Sequence, residues 1–173
     1  MADNDSVISA ARAWAGQPMA LATVISTWGS APRPRGSHLL VHGDGRFEGS
    51  VSGGCVEADI LTVAAEAICG AGFQRRRYGV ADAAAWEVGL PCGGEIEVMV
   101  QPVARHGFDP ALFQAIAAAR AEGRTLEVAT ALATGRSGIE PGAGEAFVNR
   151  YGPPRRVLFG GAGEIARVDA RLA

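Results

Sequence analysis

Hydrophobic residues recur at helical spacing in three segments of the chain. The first predicted helix covers residues 7–15, with Ser6 as its N-cap and Gly16 as the residue that ends it. A second helix is predicted to follow Cys55 and to end at Gly70, and a third covers residues 110–122. The apolar face of the second helix carries Val56, Ile60, Leu61, Ala64, Ala67 and Ile68.

Shorter apolar or alternating segments between these helices predict strands. Residues 19–26 form an almost uninterrupted apolar run, which indicates a buried strand. Residues 38–42 and 46–51 predict a hairpin around Gly43-Asp44-Gly45. Two further strands are predicted at 73–78 and 95–100. The pattern therefore predicts an α/β fold, a mixed sheet with packed helices, whose Gly-rich loops lie at one end and form the candidate site.

Composition and charge exclude two full domains, a basic nucleic-acid-binding surface and sites that depend on lysine. The chain has 173 residues, of which 48% are hydrophobic, so it suits one domain with its own core and is too short for two full domains. All 16 basic residues are arginine and there are 18 acidic ones, and a net charge of −2 gives no basic excess for a nucleic-acid backbone. The absence of lysine excludes a P-loop lysine, a Schiff-base lysine and a lysine general base.

Cysteine usage and the N-terminal residues indicate the compartment. Three cysteines are too few, and odd in number, for a disulfide framework. The first residues are acidic and lack the basic and apolar regions of a signal peptide. No apolar run approaches the roughly 18 residues that a membrane span needs. We expect a cytoplasmic protein with no membrane span and no nucleic-acid partner.

The turn Gly53-Gly54-Cys55 comes directly before the second predicted helix. Backbone N–H groups at a helix N-terminus are unpaired, the helix dipole favours anions and thiolates, and glycines let a ligand approach closely. The alternative is a tight strand-to-helix turn with a small buried thiol. Glu57 and Asp59 favour that alternative, because acidic residues in the first turn already complement the dipole and repel a second anion.

Cys92 lies in a second glycine-rich loop, Pro91-Cys92-Gly93-Gly94. The two loops make a poor metal site, because there is no CxxC pair and the three histidines lack ligand spacing, and we predict neither a metal site nor catalytic residues. A redox pair would require the two thiols to be close in space, which the sequence does not decide. Cys69 lies near the apolar face of the second helix, so we expect it in the core.

The Pro-rich segment between the first two strands carries Arg33 and Arg35. A guanidinium matches phosphate and carboxylate groups bidentately, so both arginines are candidates for binding an anion. The alternative, which the residues alone favour, is ordinary solvated loop charge. His38 and His42 share one strand face, and we interpret them as structural or solvent-facing.

A dinucleotide-binding fingerprint, G-x-G-x-x-A, stands near the end of the chain. It consists of Gly161, Gly163 and Ala166, follows a short apolar run at 156–159 and opens a predicted helix. The acidic residue that would bind the ribose about 20 residues further on has no counterpart before Ala173. We therefore predict the first strand and part of the first helix of a Rossmann-like unit, and a nucleotide site that is incomplete.

Four segments in series resemble the XdhC/CoxI family, and their order and spacing also match. They are 28–36 (WGSAPRPRG), 49–57 (GSVSGGCVE), 78–80 (YGV) and 87–98 (EVGLPCGGEIEV). The resemblance covers residues 5–103 and resumes at 153–166, which looks like the opening of the family's C-terminal Rossmann-type domain. It implies an XdhC/CoxI-like domain over 5–150, followed over 153–173 by the start of an incomplete Rossmann-like domain.

The resemblance implies a maturation factor rather than an enzyme. Family members are thought to bind molybdenum cofactor transiently, support its sulfuration and insert it into a molybdenum hydroxylase of the xanthine or CO dehydrogenase type. Molybdopterin carries a phosphate and a dithiolene-bound metal, which suits a cleft rich in amides, thiols and arginine. The cofactor-binding residues that the resemblance implies are Ser30, Pro32, Arg33, Ser52, Gly53, Gly54, Cys55, Glu57, Cys92, Gly93 and Gly94.

The same resemblance implies the partners. They are an apo molybdenum hydroxylase, a cysteine desulfurase or cofactor-synthesis proteins, and a second copy of this chain in a homo-oligomer. One alternative function is an interaction module that holds the apo-enzyme without touching the cofactor. The other, motivated only by the fingerprint, is a fragment of an NAD(P)-binding oxidoreductase.

Overall fold

The structure is a computed structural model that describes residues 4–79, 93–140 and 144–153. Three α-helices and eight strands occur in this part of the chain. The helices are α1 (Asp5–Ala13), α2 (Glu57–Glu66), which runs into a π-helical turn (Ala67–Ala71), and α3 (Ala111–Ala121). The strands are β1 (Met19–Trp28), β2 (His38–His42), β3 (Phe47–Gly49), β4 (Gln74–Tyr78), β5 (Glu95–Pro102), β6 (Leu126–Ala131), β7 (Ser137–Gly138) and β8 (Ala146–Tyr151).

Five strands form the main sheet in the order β3-β2-β1-β5-β4. The central strand β1 pairs antiparallel with β2 on one side and with β5 on the other. Its residues 19–25 are buried, which explains why this segment is an apolar run rather than an alternating one. The register pairs Trp28 at the end of β1 with Glu95 at the start of β5, so the residues that follow β1 and precede β5 meet at one edge.

Alternate residues of β1 face two different layers. Ala20, Ala22 and Val24 pack in the core cluster that includes Ile60 and Ala64 of α2. Met19 and Leu21 pack in a second cluster that contains residues of α1, α3, β6 and β8. The main sheet therefore lies between α2 on one face and α1, α3 and the smaller sheet on the other.

The smaller sheet has three antiparallel strands in the order β7-β6-β8. Phe147 of β8 packs against Ile25 and Met99, so this sheet is joined to β1 and β5 of the main sheet. Gln101 of β5 is fully buried and donates to the carbonyl of Gly135 and the hydroxyl of Ser137, both at 2.9 Å. These contacts hold the two sheets together through apolar and polar side chains.

Within the described residues, the predicted fold class and the predicted helices and strands are confirmed, with three corrections. All strand pairings in the described residues are antiparallel, so the mixed character that we predicted is wrong there. Asn4, rather than Ser6, is the N-cap of α1. Cys69 is exposed, because the π-helical turn at 67–71 breaks the helical period on which the core prediction relied. The predicted strand at 156–159 lies outside the described residues.

Candidate functional site

Two of the glycine-rich loops meet the segment that follows β1. A Cβ on Gly94 would lie 2.8 Å from the carbonyl oxygen of Ser30, and one on Gly29 would lie 3.3 Å from the Cα of Gly94. On the other side, a Cβ on Gly53 would lie 3.8 Å from the Cβ of Pro32. The segment 29–34 therefore lies between the loop at 50–55 and the residues that enter β5.

The register of the main sheet causes this convergence. Because β1 and β5 are antiparallel neighbours, the end of β1 and the start of β5 are adjacent, and Gly94 packs against the backbone of residues 28–30. A side chain at Gly94 would fill this space, so glycine is required for the close approach. Of the residues that the family resemblance implies, the structure brings together Ser30, Pro32, Arg33, Ser52, Gly53, Gly54, Cys55, Glu57, Gly93 and Gly94. Their role in cofactor binding stays a prediction.

The carboxylate of Glu57 organises the loop at 50–54. The donors to it are the hydroxyls of Ser50 and Ser52 and the N–H groups of Val51, Ser52, Gly53 and Gly54. The Ser50 hydroxyl lies 2.6 Å from Oε1, and the N–H of Gly54 lies 2.8 Å from Oε2. Both carboxylate oxygens are therefore acceptors from the loop that precedes α2.

These hydrogen bonds determine the ionisation of Glu57. Partial burial alone would raise its pKa, but donation from the hydroxyls of Ser50 and Ser52 and from the N–H groups of Ser52 and Gly54 outweighs it. The pKa of Glu57 falls to about 2, so the side chain is ionised at neutral pH. The negative charge of Glu57 is therefore surrounded by the donors of the loop at 50–54.

This arrangement corrects one expectation about the Gly53-Gly54 turn. The backbone N–H groups of both glycines were candidates for a ligand anion, but they already donate to Glu57. Glu57 itself is thereby occupied in holding the loop. Cys55, which follows these glycines, is exposed, so the alternative of a small buried thiol is wrong.

The two arginines of the segment after β1 differ in their surroundings. Arg35 donates through Nε to the carbonyl of Ile25 at 3.1 Å, and its guanidinium lies 4.3 Å from the ring centroid of Phe147. This cation–π contact and hydrogen bond fix the segment against both sheets. Arg33 is exposed, and its guanidinium has no ion pair or hydrogen bond with any residue that the structure describes.

The other end of this segment is anchored at Gly36. The side-chain amides of Asn4 and Asn149 both donate to the Gly36 carbonyl, at 2.9 Å and 3.2 Å. A Cβ on Gly36 would lie 2.5 Å from Oδ1 of Asn149, and its φ is +89°. Sequence reasoning missed both asparagines, because they act on the backbone of a residue more than 30 positions away.

His38 and His42 are structural, and the solvent-facing alternative is wrong because both are buried. The ring of His38 lies between the Thr23 hydroxyl, 2.9 Å from Nδ1, and the Tyr151 hydroxyl, 2.7 Å from Nε2. Complete burial lowers its pKa to about 4, against a smaller opposing effect of the backbone at Ala22, so the imidazole is neutral at pH 7. It therefore bridges the two sheets as an uncharged group.

Asp59 of α2 also has a defined partner. The hydroxyl of Tyr78, at the end of β4, donates to its carboxylate at 2.5 Å. Burial and the neighbouring Asp59 carboxylate raise the pKa of Tyr78, so it remains a neutral donor. This bond joins α2 to the strand that leads into residue 79.

Several predicted residues lie outside the described part of the chain. They are Cys92 of the second glycine-rich loop and the fingerprint residues Gly161, Gly163 and Ala166. Within residues 4–79, 93–140 and 144–153 there is no group of three His, Cys, Asp or Glu side chains that could hold a metal ion. In the same residues, no helix is long and apolar enough to cross a membrane.

Comparison with known proteins finds similarity to a family over part of the chain and to a known fold. Residues 13–79 match the sequence model of the XdhC and CoxI family. A stretch of 83 residues, 47% of this chain, is 43% identical to the molybdenum cofactor insertion chaperone PaoD of Escherichia coli (strain K12) and covers 25% of that protein. The matched part thus spans about a quarter of the length of this curated relative.

A solved structure shares the fold. The crystal structure described as a xanthine dehydrogenase from Bacillus halodurans aligns with a TM-score of 0.67 over 86% of this chain and 53% of that chain. The sequence identity is 23%, so the likeness concerns the fold alone.

Proposed function

We propose that this chain, whose residues 13–79 match the sequence model of the XdhC and CoxI family, is a member of that family that binds molybdenum cofactor and delivers it to an apo molybdenum hydroxylase. In this proposal the cofactor is cargo that is held transiently, and the chain is a chaperone rather than an enzyme. The functional unit is residues 5–150, which include both sheets except Tyr151, the last residue of β8. Support of cofactor sulfuration belongs to the same proposal.

The observation that carries the proposal is the meeting of the family's loops at one edge of the main sheet. Segment 29–34 contacts Gly53 on one side and Gly94 on the other, and Cys55 is exposed next to this junction. The stretch that matches the chaperone supports the same cargo, since their sequences are 43% identical there. The exposed thiol of Cys55 and the guanidinium of Arg33, which has no partner among the described residues, are groups that suit a cargo with a dithiolene-bound metal and a phosphate.

The residues divide into two roles. Cys55 and Arg33 are exposed and are proposed to contact the cofactor. Glu57, Ser50 and Ser52 hold the loop in place through the hydrogen bonds at 50–54. Gly94 permits the approach of segment 29–30, and Cys92 and Gly93 complete the proposed set.

The test measures anaerobic binding of mature cofactor to the wild-type chain and to two cysteine variants. Cys55→Ala should weaken binding at least tenfold, because it removes the exposed thiol beside the loop junction. Cys69→Ala is the matched control, since Cys69 is also exposed but lies in the π-helical turn. Equal affinity in both variants, or no saturable binding to the wild type, contradicts the proposal.

The exposure of Trp28 favours the alternative function, an interaction module that holds the apo-enzyme without touching the cofactor. The side chain of Trp28 is 71% exposed, at the end of β1 directly before segment 29–34. An exposed tryptophan is typical of protein contacts. Capture of an apo molybdenum hydroxylase that is lost in Trp28→Ala and unchanged in Cys55→Ala, with no cofactor bound, would favour this alternative.

A further inference from the structure

We propose that a polar cavity beside Arg33 binds a phosphate group. The cavity has a volume of about 310 Å³ and lies between the first turn of α1, segment 33–38 and the end of β3. Its size falls within the range of small-molecule sites. Its lining includes Asn4, Asp5, Ser6, Arg33, His38 and Ser50.

The charges around the cavity do not cancel. Asp5 and Arg33 are the two charged side chains in its lining. Asp5 forms an ion pair with Arg120 of α3, which neutralises it. Arg33 has no such partner among the described residues. The lining therefore carries one uncompensated positive charge.

The hydrogen-bonding groups in the lining also favour an acceptor-rich ligand. The Ser6 hydroxyl has no partner among the described residues, so it is available as a donor. Asn4 is buried, and its amide nitrogen gives one hydrogen to Gly36 and has a second with no acceptor in the described residues. His38, in contrast, is occupied on both ring nitrogens. Ser6, Asn4 and Arg33 therefore offer donors to a ligand in the cavity.

A phosphate group satisfies this lining better than a carboxylate. Both match the guanidinium fork of Arg33, but a phosphate has an additional oxygen for donors such as Ser6. The N–H groups of Gly53 and Gly54 do not compete for it, because they donate to Glu57.

The cavity shares Ser50 and Arg33 with the segments that form the proposed cofactor site. Ser50 lines the cavity and donates to Glu57, which holds the loop that leads to Cys55. Arg33 follows Pro32, which lies against Gly53. As a site for the phosphate of the bound cofactor, the cavity rests on the proposed function. As a site for phosphate itself, it rests on the lining alone.

The experiment titrates the wild-type chain with glycerol 3-phosphate, inorganic phosphate and, as an uncharged control, glycerol. We expect saturable binding of the two phosphates and none of glycerol. Arg33→Gln should weaken phosphate binding about tenfold, consistent with the loss of a charge-assisted hydrogen bond. Arg33→Lys should have an intermediate affinity. Tighter binding of the ester assigns the site to an organic phosphate, and equal binding assigns it to the phosphate group alone; both support the inference.

Arg105→Gln is the matched control, because Arg105 is exposed and unpaired in the described residues but does not line the cavity. Equal phosphate affinity in the Arg33 and Arg105 variants overturns the inference, as does the absence of saturable phosphate binding to the wild type. Cofactor binding that needs Cys55 and not Arg33 overturns the assignment of the cavity to the phosphate of the cofactor and leaves delivery of the cofactor by this chain intact. Phosphate binding that needs Arg33, without any cofactor binding, supports the phosphate site and contradicts the proposed function.

Discussion

Glu57 governs what the loop at 50–54 can bind. An N–H-rich turn before a helix is a common anion site, yet here four N–H groups and two hydroxyls donate to a carboxylate of the chain itself. The loop is thus a preformed support for Cys55 rather than a receptor for a second anion. An incoming phosphate must find its donors elsewhere, and Arg33 is the one basic residue within the converging segments 29–34, 50–55 and 93–94.

Replacing Glu57 should lower the stability of the folded chain and reduce the loss of stability at low pH. Hydrogen bonds to a charged group contribute about 1.5–3 kcal/mol each, so Glu57→Gln should lower the free energy of unfolding by about 2 kcal/mol at pH 7. In the wild type, the pKa of Glu57 is about 2 in the folded chain and 4.5 for the free group. The stability that ionised Glu57 contributes is therefore fully present above pH 4.5 and is lost as the pH falls towards 2.

Urea unfolding between pH 7 and pH 2 measures both effects. Glu66→Gln is the matched control, because the Glu66 carboxylate is exposed and has a hydrogen bond only from Gln74, at 3.3 Å. His38 contributes stability that is lost at a higher pH than that of Glu57, as the pH falls from 6.5 towards its folded pKa of about 4. This part of the plot of unfolding free energy against pH should be the same in the wild type, Glu57→Gln and Glu66→Gln. A Glu57→Gln variant as stable as the control at pH 7 would contradict the role assigned to Glu57.

Among the elements, the antiparallel pairing of β1 with β5 is what creates the candidate site. It places segment 29–30 against Gly94, while the strand-to-helix loop before α2 reaches the same segment from the other side. Arg35, Asn4 and Asn149 fix the remainder of the segment between the two sheets. The positions of Cys55 and Arg33 thus depend on packing between elements.

A methyl group at Gly94 should separate the loops. Gly94→Ala would place a Cβ 2.8 Å from the Ser30 carbonyl oxygen, and a backbone neighbour cannot rotate away as a side chain can. We expect cofactor affinity to fall about tenfold. Gly138→Ala in β7 is the control for a glycine substitution, because Gly138 has no positive φ and its Cβ would meet only the carbonyl oxygen of Glu140, at an ordinary contact distance of 3.6 Å. Unchanged affinity in Gly94→Ala would show that the close approach is not needed.

The sequence predicted the elements better than their contacts. The apolar run at 19–26 and the hairpin at 38–51 were sufficient for β1, β2 and β3, since burial of a strand is visible in its own residues. The exposure of Cys69 was missed, because a π-helical turn shifts the helical phase without a distinct sequence signal. The Glu57 hydrogen bonds were missed as well, although Ser50 and Ser52 beside the glycines are a signal for such a network.

On the scale of the whole molecule, the candidate site draws on more of the chain than the matched family segment. Residues 13–79 include segment 29–34 and the Cys55 loop, whereas Gly94 and Asn149 lie beyond them. The smaller sheet therefore takes part in the site indirectly, since Phe147 and Asn149 of β8 hold the segment that carries Arg33. We infer that residues 13–79 need the second half of the unit to present their loops.

The most direct measurement is a hydrogen-exchange footprint of the wild-type chain with and without molybdenum cofactor, under anaerobic conditions. The account predicts that bound cofactor slows exchange together in segments 29–34, 50–56 and 93–95, while the π-helical turn at 67–71, which holds the exposed Cys69, exchanges as before. Protection that is absent from all three segments, or that appears only outside them, would contradict a cofactor site at this edge of the sheet.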